Sequence, residues 1–440
     1  MIYEMRTYDL VPRTVPEVEK RFGEVYEYRK RYSELAAFWH TEIGPLHQVI
    51  HARSTVLATG GAPQIHALND SPPTITGDGY AMGWRAGAEL IDMEFIDYQL
   101  ITAAPPKLAG YPPHSSAFLG AGGYLVNKNG ERFMARYDPE RMEKATRAMT
   151  NRAVAMEIFE GRGSENNAVY VDIRHVFDTA NTGASADVIK TFLNAKVDLR
   201  TDLLEVTSCP HTYLGGLRID EWGRTTIEGL YAGGEAAGGV HGANRLGGAA
   251  LIDSYVFGFR AGVAAACEGR PRDKPASKSG NWSAALKAAA AWFHQSDGKI
   301  EPSAWRDEVQ QLIVSLVGQV RRGDRLSSAL SRLEELESDF RNVKIQGETP
   351  RKLFECVCRC LETRNLIQVA RMLGTAALHR EESRGGHFRI DFPQTDDEKF
   401  HGNIVLRNDH GAVKSELRPV PDASAVAAPP PEMVMTEAVA

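Results

Sequence analysis

The apolar positions change period several times along the chain, and each change marks an element. Alternation over Ile2 to Tyr8 predicts a strand. Thr14 then caps a helix that carries Pro16 and Glu17 in its first turn and runs to about Tyr32. Leu35–Glu42 reads as a second strand. Composition shifts at Arg53, and Ser54-Thr-Val-Leu-Ala-Thr-Gly60-Gly61 predicts a short buried strand entering a glycine turn. Residues 62–123 are loop-rich, with Pro72-Pro73 and Pro105-Pro106 as breakers. Glu140–Glu160 is predicted as a helix with the apolar stripe Met142, Ala145, Met149, Ala153 and Met156. Tyr231 begins a strand and turn that feed a helix from about Gly248 to Glu268. Residues 271–280 form a linker, and helices follow at about 282–295, 303–322, 326–342 and 351–382. The Pro/Ala-rich residues 419–440 are expected to be disordered.

Composition narrows the class. A chain of 440 residues, 43% apolar and 25% charged, has mass for two or three globular domains. The net charge of −6 leaves no basic stripe for phosphates, which argues against nucleic-acid binding. Five cysteines, an odd and low count, fit a reducing compartment, and the expected location is the cytoplasm. Met1-Ile-Tyr-Glu-Met-Arg has an early acid and no apolar core, so no signal peptide is expected. No apolar run of roughly 20 residues stands out, so no membrane span is expected either.

The chemistry concentrates in Gly229-Leu-Tyr-Ala-Gly-Gly-Glu235-Ala-Ala-Gly-Gly-Val-His241-Gly-Ala-Asn244-Arg245-Leu-Gly-Gly248. Glycine at this density packs no core, but it lets backbone N–H groups approach a flat or anionic ligand. The helix that follows points its positive end at the same place. A reduced flavin carries negative charge near N1 and its C2 carbonyl, which suits such a helix start.

Six strings in order, over about residues 53–410, resemble the fumarate reductase/succinate dehydrogenase flavoprotein family, which includes aspartate oxidase. They are Ala58-Thr-Gly-Gly61, Thr76-Gly-Asp78-Gly79, Gly122-Gly-Tyr-Leu-Val-Asn-Lys-Asn-Gly-Glu-Arg-Phe-Met134, His211-Thr-Tyr-Leu-Gly-Gly216, the glycine stretch, and Glu381-Glu-Ser-Arg-Gly-Gly-His-Phe-Arg-Ile-Asp-Phe-Pro393. The resemblance implies FAD as cofactor, held around Gly60, Gly61, Asp78, Glu235, Ala250 and Leu251. It implies a small dicarboxylate substrate clamped by His211 and Arg245, with Arg147 at the proton-transfer position. Periodicity alone places Arg147 opposite the methionine stripe, as a solvated residue. An electron-transfer partner and a homo-oligomer are compatible with the family.

Several positions depart from the family pattern. A second substrate histidine is Gln99 here, a Thr-Glu pair is Ser115-Ser116, the acid after the proton-transfer arginine is Ala148, and a usual serine is Ala250. A relay needs titratable links within hydrogen-bond reach, so full-rate succinate or fumarate chemistry is not expected. The strand–Gly-x-Gly-x-x-Gly–helix unit that cradles an FAD pyrophosphate is missing. Residues 1–51 instead resemble the first half of a NIPSNAP-type ferredoxin-like domain, on Tyr3-Glu-Met-Arg-Thr-Tyr8 and Phe38-Trp-His-Thr-Glu-Ile-Gly-Pro-Leu46. The chain reads as two incomplete genes joined at 52/53.

The expected fold class is therefore α/β (α+β). It comprises half a ferredoxin-like unit (1–51), an incomplete FAD-binding domain (53–99 and 206–270), an inserted capping domain (100–205), a C-terminal helical domain (281–410) and the tail. Catalytically inactive remnant and NIPSNAP-like interaction module are the alternative readings. Cys356, Cys358 and Cys360 read as core cysteines, because on a helix Cys358 points away from the other two, and no metal site is expected.

Overall fold

The computed structural model describes residues 54–113, 115–177, 186–268 and 297–420, with backbone alone at 6–9, 39–40, 48–51, 115–116, 186–187 and 350. The helices expected at 14–32 and 282–295, the linker and the tail beyond Val420 lie outside the described residues.

Strands β1 (Arg6–Asp9), β2 (Trp39–His40) and β3 (Gln48–His51) form an antiparallel sheet in the order β1-β3-β2. Then come β4 (Thr55–Leu57), helix α1 (Asp78–Arg85), β5 (Leu90–Ile91) and β6 (Ile96–Thr102). β7 (Tyr124–Val126), α2 (Arg147–Phe159), β8 (Val169–Asp172) and β9 (Leu204–Tyr213) follow. The next run is β10 (Gly216–Arg218), β11 (Leu230–Ala232), β12 (Ala237–Gly238) and α3 (Ala249–Glu268). α4 (Pro302–Leu312), β13 (Val320–Arg321), α5 (Gly323–Ser338) and α6 (Pro350–His379) lead to β14 (Phe388–Arg389), β15 (Gly402–Asp409) and β16 (Ala412–Pro419).

Two large cores organise these elements, with a small third cluster of Tyr231, Ala261, Ala264 and Ala265 under α3. The larger joins α1, the five-stranded sheet β12-β10-β5-β15-β16 and helices α4 to α6 around Trp84, Leu217, Trp305 and Leu373. The smaller lies on the antiparallel sheet β6-β9-β8-β7 around Phe118, Phe133, Val171 and Phe192. Helix α6 starts where its sequence says it should: Thr349 accepts from Lys352 N at 3.2 Å, and Pro350 fills the first turn. Cys360 is buried in the larger core and Cys356 packs against it.

The structure corrects four expectations. The C-terminal region is not helical to residue 410, because β15 and β16 form a hairpin completing the five-stranded sheet. Its two-residue turn, His410 (φ 51°) and Gly411 (φ 94°), has the double positive φ that matches strand twist. The strand after Arg53 is not buried: only Leu57 of β4 is, since β4 pairs with β11 alone among the described residues. Helix α2 begins at Arg147 rather than Glu140, because Thr146 caps it by accepting from Met149 N at 3.3 Å. Its buried face is Thr150, Asn151, Ala153, Val154 and Glu157, so the methionine stripe is not the core stripe. Finally, α3, at 20 residues and mean hydropathy 1.3, is long and apolar enough to cross a membrane by length and composition. It contains Asp253 and Arg260 and docks on β4 and β11, where only a face of small residues, Ala261, Ala264 and Ala265, packs against Tyr231. A Cβ on Gly233 would meet the α3 backbone at Gly258, so glycine permits this close approach. Leu251, Ile252, Tyr255 and Phe259 remain exposed on its outer face.

Ion pairs fasten the C-terminal segment to the β5–β6 turn. Arg380 is fully buried; its Nε donates to Glu94 at 2.6 Å and its Nη1 to Glu382 at 2.9 Å. Arg321, also fully buried, donates from Nη1 to the Glu94 carbonyl and to His387 Nδ1, each at 2.7 Å. Burial, with Arg321 beside it, holds His387 neutral, well below the usual imidazole range.

Two outcomes follow for stability. Arg380→Met strands the buried Glu94 carboxylate, while Glu382 keeps Arg384, and should cost about 3–5 kcal/mol in denaturant unfolding. Glu89 accepts from Arg218, Arg407 and Arg418, and these bonds, Arg418 foremost, hold its carboxyl down at about 2 against an ordinary 4.5. A depressed carboxyl stabilises above its unfolded value and loses that contribution as pH falls through its folded value. The wild type should therefore lose stability between about pH 4.5 and 2, and Glu89→Gln should flatten that part of the acid titration.

Candidate active site

A β-bulge aims the first site residue. Along the β6–β9 pair, Asp97 faces Thr212 and Tyr98 faces Pro210, which leaves His211 as the extra residue on β9. Asp70 receives it. Asn69 closes the preceding turn, donating to the His66 carbonyl at 2.9 Å and accepting from Ser71 N at 3.1 Å. His211 Nδ1 then lies 2.8 Å from Asp70 Oδ2, and Gln99 Nε2 donates to the same oxygen. A carboxylate at Nδ1 fixes that nitrogen as the N–H and turns Nε2 outward.

Asp97 gathers the two arginines. Arg245, buried in the glycine stretch, donates to Asp97 Oδ2 from Nε at 3.0 Å and from Nη2 at 2.8 Å. Arg147, in the first turn of α2, donates from Nη1 to the same oxygen at 3.0 Å. Arg147 therefore points into the site and is not the solvated residue that periodicity suggests. Charge-assisted bonds of this kind are roughly twice as strong as neutral ones. A cavity of about 330 Å³ opens beside Arg147, lined also by Gln99, Leu119, Glu143, Thr150 and Asn151. A larger one, about 660 Å³, is lined by Glu337, Phe340, Arg364 and Arg371 and includes none of these site residues.

The residues expected to hold a cofactor divide. Gly60 adopts φ 74°, which favours glycine. Glu235 Oε1 accepts from Tyr213 N at 2.7 Å, and the Gly61 amide also donates to this carboxylate, so Glu235 ties the Gly60–Gly61 turn to β9. Burial raises its carboxyl, while the two amides, His211 and Arg245 oppose the rise. Ala250 and Leu251 occupy the first turn of α3; Leu246 just before the helix and Leu251 and Ile252 within it are 77%, 81% and 67% exposed. Asp78 is turned elsewhere: its Oδ1 accepts from Thr76 at 3.1 Å and from Asn365 of α6 at 2.7 Å.

A flat apolar ring suits the first of these groups. The approach has open glycine backbone at Gly242 and Gly248, exposed apolar side chains and a helix start. The isoalloxazine end of FAD fits there. No strand–Gly-x-Gly-x-x-Gly–helix unit for the pyrophosphate occurs among the described residues. Sequence reasoning missed Asp70 and Asp97: neither lies in a motif, and both are recognised only by what they touch.

Comparison with known proteins gives the family. A model of the FAD binding domain matches residues 41–251, one of the fumarate reductase flavoprotein C-terminus matches 306–434, and NIPSNAP matches 3–54. The chain is 40% identical over 348 residues to one subunit of the fumarate reductase (CoM/CoB) of Methanothermobacter marburgensis, covering 78% of this chain and 62% of that one. It is 35% identical over 363 residues to L-aspartate oxidase 1 of Ralstonia nicotianae, covering 79% and 62%. A solved quinol fumarate reductase FrdA of Escherichia coli, a glutamate-to-glutamine variant, superposes with TM-score 0.78 at 26% identity, over 93% of this chain and 75% of that chain. The fold is thus that of FAD-binding flavoproteins. Within them, the chain belongs to the fumarate reductase/succinate dehydrogenase flavoprotein family, and it spans 62% of the length of the two curated relatives.

Removing the Glu235 tie tests the local architecture. Glu235→Ala leaves the Tyr213 and Gly61 amides without their acceptor and should cost about 1–3 kcal/mol, read as a lowered thermal midpoint.

Proposed function

We propose that this chain acts as an FAD-dependent oxidoreductase in which a hydride passes between the flavin and a small carboxylate substrate. The observation that carries the reading is the convergence of Arg147, Arg245 and His211 beside the Glu235–Gly61 tie, with Glu235 in electrostatic reach of His211 and Arg245. Bound there, the flavin would supply the hydride acceptor or donor. Gly60, Gly61 and Glu235, with Ala250 and Leu251 at the head of α3, are the residues proposed to border its ring.

The rest falls to the side chains. Arg245 and His211 hold the substrate, since a planar guanidinium matches a carboxylate and the imidazole adds a polar contact. Arg147, half-buried at the cavity mouth, is the proton-transfer candidate. Ala148 and the Ser115-Ser116 pair leave the relay short of carboxylates, and Asp97, in contact with Arg147, supplies one. The naming of the methanogen relative as one subunit of a larger enzyme supports a further proposal, that electrons leave through a partner protein. The five free thiols support work in a reducing compartment such as the cytoplasm. An inactive remnant and an interaction module built on residues 1–51 are less well supported, because the family matches run through the whole site.

The visible spectrum of the purified full chain is the test. The expected result is an oxidised-flavin spectrum, with FAD released on denaturation. A colourless protein that takes up no flavin on incubation with FAD contradicts the reading.

A further inference from the structure

We infer that Lys144 is a further substrate-binding residue, whose ammonium takes the second carboxylate of a dicarboxylate held at its other end by Arg245 and His211. The inference rests on the carboxylate-site reading above and adds to it a residue that no family string contains.

The cavity beside Arg147, about 330 Å³, leads to it. Three charged residues line it, Glu143, Lys144 and Arg147, and two of them are already matched. Glu143 accepts from Arg132 Nε at 2.9 Å and from Arg132 Nη2 at 2.6 Å. Arg147 gives Nη1 to Asp97, an acid it shares with Arg245. The Lys144 side chain has no acid and no hydrogen-bond partner among the described residues. The lining therefore keeps one unmatched cation, and a cleft of one sign draws in a ligand of the other.

Arg147 ties this cation to the rest of the site. Its Nε and Nη2 take no hydrogen-bond partner among the described residues, and Nη2 lies beside Gly247, two residues after Arg245. Arg245 and His211 do not line the cavity, so the basic groups form two poles joined through Arg147. Two such poles suit a ligand with a carboxylate at each end. Asp97 and Asp70 do not line the cavity either. They sit behind Arg147 and Gln99, which touch them from the cavity wall.

The position also answers a loss seen in the sequence. Gln99, on the same wall, stands where the family pattern has a second substrate histidine, and Lys144 returns a cation to that side. Lys144 ends the short turn Met142–Lys144 before the Thr146 cap and is exposed, so its flexible stem can turn to a ligand without unpairing another group. Thr150, one turn beyond Arg147 on α2, adds a hydroxyl to the wall.

Calorimetric titration of the flavin-loaded full chain with succinate and butyrate, four-carbon acids that differ by one terminal carboxylate, tests this. The wild type should bind succinate about tenfold or more tightly than butyrate. Lys144→Met should weaken succinate about tenfold and leave butyrate within about twofold, while Lys144→Arg should keep most of the succinate affinity. Thermal melting checks that each variant is folded. Should Lys144→Met fail to fold, Lys144→Gln takes its place with the same expectation. Unchanged succinate binding in the folded variant, an equal loss for both ligands, or a wild type that does not prefer succinate overturns the inference while leaving the carboxylate-site reading intact. Binding of neither ligand by the wild type overturns that reading as well.

Discussion

Two guanidinium groups repel each other, and an anion between them offsets that repulsion most where they are shielded from water. Here the anion is the Asp97 carboxylate, and one of its oxygens receives three N–H bonds from Arg147 and Arg245 within 3.0 Å. That contact joins three parts of the chain: β6, the head of α2, and the glycine stretch before α3. Removing one member of such a buried set leaves uncompensated charge, which costs far more than the net worth of the contact. The site's shape and its charge therefore have a common origin.

The C-terminal segment holds this arrangement from behind. Arg380 and Arg321 both reach Glu94, three residues before Asp97, one through its carboxylate and the other through its carbonyl. The β15–β16 hairpin then clasps β5 on the same sheet. The turn that feeds β6 is thus fixed by groups far along the chain, 227 residues away for Arg321 and 286 for Arg380.

What could be read from the sequence was local. The helix expected at about 351–382 is α6, and the glycine stretch announces a close backbone approach, because helical periodicity and glycines act through their own neighbours. The six family strings carried the fold class and the flavin in the same way. The misses have a different physical basis. Thr146 starts the expected 140–160 helix late, at Arg147, through a single cap bond, and the buried face differs from the expected stripe. His211 is aimed by a bulge defined only by its pairing with another strand. Asp70 and Asp97 are single acids whose meaning depends on side chains at 211, 147 and 245. The exposed outer face of α3 and the single-sided pairing of β4 also escaped, since exposure is a property of the assembled fold.

A crystal structure of the flavin-loaded chain tests the central claim most directly. The account expects the isoalloxazine ring between the Gly61–Glu235 tie and the head of α3, with Asp97 still bridging Arg147 and Arg245 at its edge. A ring bound elsewhere, or a glycine loop closed over by the chain's own side chains with the arginines apart, would contradict it.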